Sequence, residues 1–196
     1  MERIGIIDLG VGNFANVRKA LDGEMIASPE RLDDFNKIVL PGVGSFDGVA
    51  QKLERYRDAI QRFVASGRYF LGICLGMQLL FEGSEEGTAP GLGILPGGIV
   101  RFQGVQTPHM GWNSVRFPSD ELTADIPRES YFYFVHSYYL PPRNRAFEYG
   151  FTSHGEAGNV IRFVSAVRQD NIIGVQFHPE KSSFAGKDFL EGFKRL

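Results

Sequence analysis

The sequence holds a single cysteine, Cys74, set in Gly72-Ile73-Cys74-Leu75-Gly76-Met77-Gln78, after one apolar run and before another with helical spacing. A sulfur between two glycines at a strand-to-helix junction is the pattern of a nucleophile elbow. The sharp turn projects the nucleophile, and the glycines remove side chains that would collide across it. The free N–H groups at the helix start can meet a developing oxyanion. The positive helix end also favours a thiolate over a thiol. A free cysteine is more often an inert core residue. Glycine on both sides, at the end of an apolar strand, favours the reactive reading.

A thiol nucleophile needs a base, and the base needs an orienter. His178 is followed two residues on by a carboxylate, in Gly174-Val175-Gln176-Phe177-His178-Pro179-Glu180, directly after the apolar run 172–177. That places it at a strand end, where the ligand sites of open α/β sheets gather. Glu180 can accept from one imidazole nitrogen and leave the other for Cys74. Alone, His-Pro-Glu is more often a turn with a surface carboxylate; the elbow is what raises it. Pro41-Gly42-Val43-Gly44-Ser45-Phe46 ends a third apolar run. Its bare N–H groups suit an oxyanion or anion, and equally a plain β-to-α turn. Gly10-Val11-Gly12-Asn13 is half of a dinucleotide fingerprint, but position 15 is Ala15 and no acidic ribose ligand follows, so no cofactor is expected.

The elements that must position these residues alternate in the first half. Residues 3–8 form a β-branched run, and Phe14, Val17, Ala20 and Leu21 recur at helical spacing until Gly23 closes the helix. A strand over 37–40 precedes helices over 46–53 and 58–66, the second stopped by Gly67. A strand over 69–74 and a helix over 75–81 frame Cys74. Such alternation implies β-α units and a parallel sheet buried on both faces. In the second half, residues 91–102, 114–117, 131–140, 146–152, 160–167 and 172–177 are strand-like, with Tyr131-Phe132-Tyr133-Phe134 read as core sheet. Few helices intervene before 184–195. The expected fold is α/β, a mostly parallel central sheet flanked by helices, with antiparallel strand additions in the C-terminal half.

Composition sets the outer bounds. A chain of 196 residues suits one domain, 1–196. A net charge of −2 supplies no basic field for nucleic acid or an anionic membrane. One cysteine excludes an intramolecular disulfide and a Cys-rich zinc site, and no metal is expected. No run approaches 18 apolar residues. Met1-Glu2-Arg3-Ile4 lacks a basic region leading into a long apolar stretch and is read as a mature cytoplasmic start.

Together, Pro41-Gly42-Val43-Gly44, Gly72–Gln78 and His178-Pro179-Glu180 resemble the motifs of the class I (triad) glutamine amidotransferases, in order and over nearly the whole chain. Gly12-Asn13, Leu79–Glu86, His109-Met110-Gly111-Trp112-Asn113 and Tyr133–Tyr138 look like the branch of that family serving histidine biosynthesis. Gly83 inside the acidic stretch is a small departure. The resemblance implies Cys74 as nucleophile, His178 as acid/base and Glu180 as its orienter. It implies an oxyanion hole from Leu75 and the Val43–Gly44 turn, with Gly42 beside the substrate. Gln78 and Glu86 would hold the amino-acid head of glutamine, and Ser137 and Tyr138 its backbone groups; the choice of Glu86 over Glu82 or Glu85 rests on the resemblance alone. It further implies a partner, a (β/α)8-barrel cyclase subunit, to which ammonia passes, with His109–Asn113 and the Tyr138 region as candidate interface. The rivals are a class I glutaminase serving another pathway, such as pyridoxal phosphate or anthranilate synthesis, a cysteine hydrolase with no partner, and a non-catalytic binding module.

Overall fold

The computed structural model describes residues 3–10, 14–156 and 158–196. The Gly12-Asn13 motif lies outside them. In chain order the elements are β1 (Ile4–Ile7), α1 (Ala15–Leu21), β2 (Glu24–Ile26), β3 (Lys37–Gly42), α2 (Phe46–Leu53), α3 (Arg57–Ala65), β4 (Tyr69–Cys74) and α4 (Leu75–Gln78). There follow β5 (Gly83–Ser84), β6 (Gly98–Arg101), β7 (His109–Arg116), β8 (Glu129–His136), β9 (Tyr138–Tyr139), β10 (Glu148–Glu156), β11 (Asn159–Gln169), β12 (Ile172–Val175) and α5 (Ser183–Arg195).

Among the described residues, nine strands form one sheet in the order β2-β1-β3-β4-β12-β11-β10-β7-β8. The first five are parallel, and the pairings from β12 to β8 are antiparallel. This is the expected α/β arrangement, with β12 as the seam. The parallel strands β1, β3 and β12 are buried at every position because helices cover both faces. On one face, Phe46, Leu53, Ile60 and Phe63 of α2 and α3 pack over Ile7, Ile38 and Leu40. On the other, Val17 and Leu21 of α1 and Phe189 and Phe193 of α5 pack over Ile6, Val39 and Leu71.

Several boundaries differ from the expectation, each for a physical reason. The helix after Cys74 ends at Gln78 rather than at 81. Its downstream carbonyls are taken by a neighbouring segment: Leu92 N–H donates to Leu79, Gly93 to Phe81, and Ile94 and Leu95 to Leu80. For the same reason residues 91–97 are not strand, and only Gly98–Arg101 of that run pairs. Helix α1 is closed by Asp22, in the left-handed region at φ 51°, rather than by Gly23. Gly23 is needed for space instead, since a Cβ there would sit 2.8 Å from Ile6 Cδ1. The short edge strand β2 was missed, as its three residues give too little periodicity. The stripe 131–134 is only half core: Phe132 and Phe134 are buried, whereas Tyr131 is 64% exposed. Part of the chain's content of 17 phenylalanines gathers in one cluster. Phe117, Phe132, Phe177 and Phe189 stack in tilted and edge-on pairs beneath the antiparallel half.

Candidate active site

Cys74 ends β4 at φ 54° and ψ −109°, a left-handed conformation that a residue with a Cβ rarely holds. Such a conformation costs about 1–3 kcal/mol and persists only where its surroundings enforce it. Here they do, because β3, β4 and α4 approach to backbone contact. A Cβ on Gly76 would lie 1.8 Å from the Leu40 carbonyl oxygen, and one on Gly72 would lie 2.6 Å from the Gly76 carbonyl oxygen. One on Gly42 would meet Gly76 N at 2.6 Å. The flanking glycines therefore serve close approach, while the strained φ falls on the cysteine itself.

His178 and Glu180 follow β12, the strand parallel to β4, so both catalytic candidates leave the same edge of the sheet. His178 Nδ1 and Glu180 Oε1 lie 2.8 Å apart, with side chains only 4% and 6% exposed. The carboxylate fixes Nδ1 as the donor and turns Nε2 toward the reaction. Nε2 makes no hydrogen bond. Burial alone would push the imidazole down, but the Cys74 sulfur and the Glu180 carboxylate outweigh it and hold His178 up at about 10. A buried residue absent from the sequence reading holds this turn: Ser182 Oγ donates to His178 O at 2.6 Å and accepts from Tyr133 N at 2.9 Å. His154 has the same spacing to Glu156, but its Nε2 lies 2.7 Å from Gln106 O, in a different cleft.

A cleft of about 320 Å³ opens over Cys74. Gly42, Val43, Gly44, Leu75, Gln78, Glu86, Ser137, Tyr138 and His178 all line it, and Glu180 stands behind His178. Val135, His136 and Lys181 line it too and were not anticipated. Lys181 was within reach, being the residue after His-Pro-Glu. Val135 and His136 fall in the 133–138 stretch that carries the resemblance, but their residue types do not separate them from core strand.

The acidic stretch, left open by its residue types, is divided by position. Glu82 and Glu85 are exposed, and their carboxylates accept from Gly97 N and Arg101 N. Glu86 faces the cleft, and burial holds its carboxyl above the usual carboxylate range, partly offset by the Phe46 N–H. Gln78 is buried, and its Nε2 donates to Tyr138 O and Gln176 Oε1 at 3.2 and 3.0 Å. Gly44 sits at φ 109°, which gives the turn after β3 the backbone freedom that its sequence implies. Among the described residues no cluster of three or more His, Cys, Asp or Glu is placed to hold a metal.

A thiol at an elbow, an imidazole oriented by a carboxylate and an acidic side chain meet at one cleft, an arrangement whose chemistry suits nucleophilic hydrolysis. The chain belongs to the class-I glutamine amidotransferase family, whose model matches residues 16–194. It is 50% identical over 195 residues to "Imidazole glycerol phosphate synthase subunit HisH" of Thermococcus kodakarensis, covering 98% of this chain and 100% of that protein. It is 48% identical over 198 residues to the protein of the same name from Pyrococcus furiosus, covering both chains completely. Among solved structures, "PurLQS from Thermotoga maritima" superposes with a TM-score of 0.76 over 100% of this chain and 99% of that one. At 16% identity this is a likeness of fold.

Proposed function

We propose that residues 1–196 form a single glutaminase domain that acts in the cytoplasm as the glutaminase subunit of imidazole glycerol phosphate synthase. The relatives of that name support the pathway. The observation that carries the chemistry is the strained Cys74 beside an imidazole held 2.8 Å from a buried carboxylate, in a cleft walled by Glu86.

In this reading Glu86 and the free Oε1 of Gln78 take the ammonium of glutamine, and Ser137 and Tyr138 take its backbone groups. The Cys74 thiolate attacks the side-chain carboxamide carbon. Charge on the oxygen is met by the Leu75 N–H and an N–H of the Val43–Gly44 turn, with one such donor worth about 2.7–4 kcal/mol. His178 protonates the leaving ammonia, a γ-glutamyl thioester remains, and His178 then activates the water that releases glutamate. The Val43–Gly44 peptide is the element expected to reorient when the partner carries its ligand, because a glycine at φ 109° turns over at low cost.

Ammonia is mostly protonated in neutral water, so it is best delivered through a closed route. The recipient in this reading is a (β/α)8-barrel cyclase subunit, which uses it to make imidazole glycerol phosphate and AICAR. The face of β7 and β8 supports a docked partner. Met110 and Trp112 are 64% and 53% exposed, Tyr131 is exposed beside them, and their row runs through Tyr133 to Val135 at the cleft wall. His109, in the same candidate interface stretch, is buried and serves the core instead.

The test is glutamine hydrolysis by the wild type and Cys74→Ala, each with and without the cyclase and its nucleotide ligand. Hydrolysis by the wild type that rises with the liganded cyclase, and none by the variant, is expected. Retained activity in Cys74→Ala, or full turnover without a partner, overturns the reading.

A further inference from the structure

Gln176 has no part in the chemistry above, yet it is fully buried directly beneath it. Its Nε2 donates to Cys74 Sγ at 3.7 Å, and its Oε1 accepts from Gln78 Nε2 at 3.0 Å. One carboxamide thus bridges the nucleophile and the residue assigned to the substrate's head. Its backbone is pinned as well, with Gln176 N–H donating to Ser165 O on β11 at 2.9 Å.

The orientation of this amide is set by its surroundings. Gln78 Nε2 spends its two hydrogens on Tyr138 O and Gln176 Oε1, so Gln176 must present an acceptor to Gln78 and a donor to the sulfur. Tyr138 O is itself fixed by a directional chain. His136 Nδ1 lies 2.7 Å from it, His109 Nδ1 lies 2.9 Å from His136 Nε2, and Asn113 Nδ2 lies 3.0 Å from His109 Nε2. Asn113 donates to Ser153 O through the same nitrogen, which assigns every donor in the row. As a thiol, Cys74 can donate to Val135 O at 3.9 Å. As a thiolate it has no proton to give, and that carbonyl dipole opposes it. The Gln176 side-chain N–H is then a neutral donor that compensates at 3.7 Å.

We infer that Gln176 is a positioning residue, which holds the ionised Cys74 sulfur in its attacking orientation and couples it to the Gln78 clamp. This rests on the reading of Cys74 as the nucleophile. The charged and titratable groups that share the cleft with the sulfur are His178, backed by Glu180, and Lys181 from the turn after β12, His136 from β8, and Glu86.

A lone cysteine makes the test clean, since every thiol alkylation, read by mass at Cys74, reports on that residue. The rate of iodoacetamide modification is measured from pH 5 to 9 on the wild type, Gln176→Met and Gln176→Glu. A charged acceptor that loses one amide donor loses about tenfold in stabilisation, so the half-rate pH rises by about one unit in Gln176→Met. It rises further in Gln176→Glu, which keeps the shape but turns the donor into an acceptor. In the cyclase complex, kcat for glutamine falls by about tenfold or more in both variants, while KM changes less. Unchanged alkylation profiles in folded variants overturn the inference. Should the variants fail to fold, the wild type decides: the Gln176 side-chain amide 15N–1H signals shift as Cys74 ionises and lose that titration in Cys74→Ala, and static signals overturn it. Failure of the proposed function gives a different result, namely no glutaminase activity in the wild-type complex whatever the alkylation profiles show.

Discussion

The two halves of the central sheet differ in what they leave open. In the parallel half, β1, β3 and β12 are buried at every position, and the candidate site lies at the carboxyl ends of β3, β4 and β12, where chain turns are packed backbone to backbone. In the antiparallel half, β8 alternates between buried and open positions. Its inward residues join a phenylalanine-rich core, and its outward ones, with Met110 and Trp112 of β7, make an exposed apolar row. Covering both faces gives a scaffold rigid enough to strain a cysteine. Covering one face leaves a surface for another protein. The two meet at Val135, whose carbonyl contacts Cys74 Sγ and whose strand carries the open row.

Breaking the rigid half should have the largest effect. Gly76→Ala puts a Cβ 1.8 Å from the Leu40 carbonyl oxygen, backbone against backbone, so α4 must move away from β3. The expected loss is more than about 4 kcal/mol in urea unfolding, with the elbow displaced. Trp112→Ala, on the open half, is expected to stay within about 0.5 kcal/mol in the same assay. Equal losses in the two would erase the distinction drawn between the halves.

Next in size is Glu180→Gln. The amide keeps the shape but cannot stabilise an imidazolium across the 2.8 Å contact and permits the wrong tautomer of His178. A fall in kcat of roughly 10²–10⁴-fold, about 3–5 kcal/mol, is expected in the cyclase complex. Steady-state kinetics on the folded variant check it, and a drop under tenfold would leave Glu180 no orienting role.

The rigid half was also the legible one. Continuous apolar runs ended by glycine announce buried parallel strands and the turns after them, so β4, α2 and the residues around Cys74 could be placed from one sequence. The catalytic spacing in His178-Pro179-Glu180 is local, and local order survives folding. What was not legible depends on partners distant in the chain. Helix α4 stops early because residues 92–95 donate to its downstream carbonyls, and no window around Cys74 contains that information. Ser182, Gln176 and His136 act across 49, 102 and 27 residues of separation respectively, through bonds to Tyr133, Cys74 and His109, and each looks like ordinary strand or turn in the sequence. The open face of β7 and β8 was half visible. Its aromatic residues were noted, but alternation with period two was masked because the buried positions are aromatic as well.

The open half is sharpened by binding rather than folding. Trp112 is 53% exposed, packs edge-on against Tyr133 at 6.3 Å, and lies in the row that ends at the cleft. A buried interfacial tryptophan is worth about 2 kcal/mol or more, so Trp112→Ala is expected to weaken the complex with the cyclase about thirtyfold while leaving the isolated chain's melting unchanged. Titration calorimetry against the cyclase reads this directly, and unaltered affinity would move the docking surface elsewhere.

The smallest effect separates the halves by pH. His109 and His136, in the antiparallel half, are held neutral chiefly by burial, which lowers them to about 4 and about 3. The unfolded chain takes up protons on both near 6.5, so their burial costs stability progressively as pH falls below 6.5. His178, in the parallel half, is raised to about 10, so its contribution is complete below 6.5 and is lost as pH rises from there toward 10. The two halves therefore limit stability from opposite sides, with the maximum near neutrality. In His109→Gln, a side chain that can still bond to its neighbours no longer titrates. About 1.4 kcal/mol of the loss between pH 7.5 and 5.5 should disappear, with the alkaline limb unchanged. Urea midpoints measured from pH 5 to 9 decide it, and a variant whose acid limb is as steep as the wild type's would show that the buried imidazoles of the open half do not set its acid sensitivity.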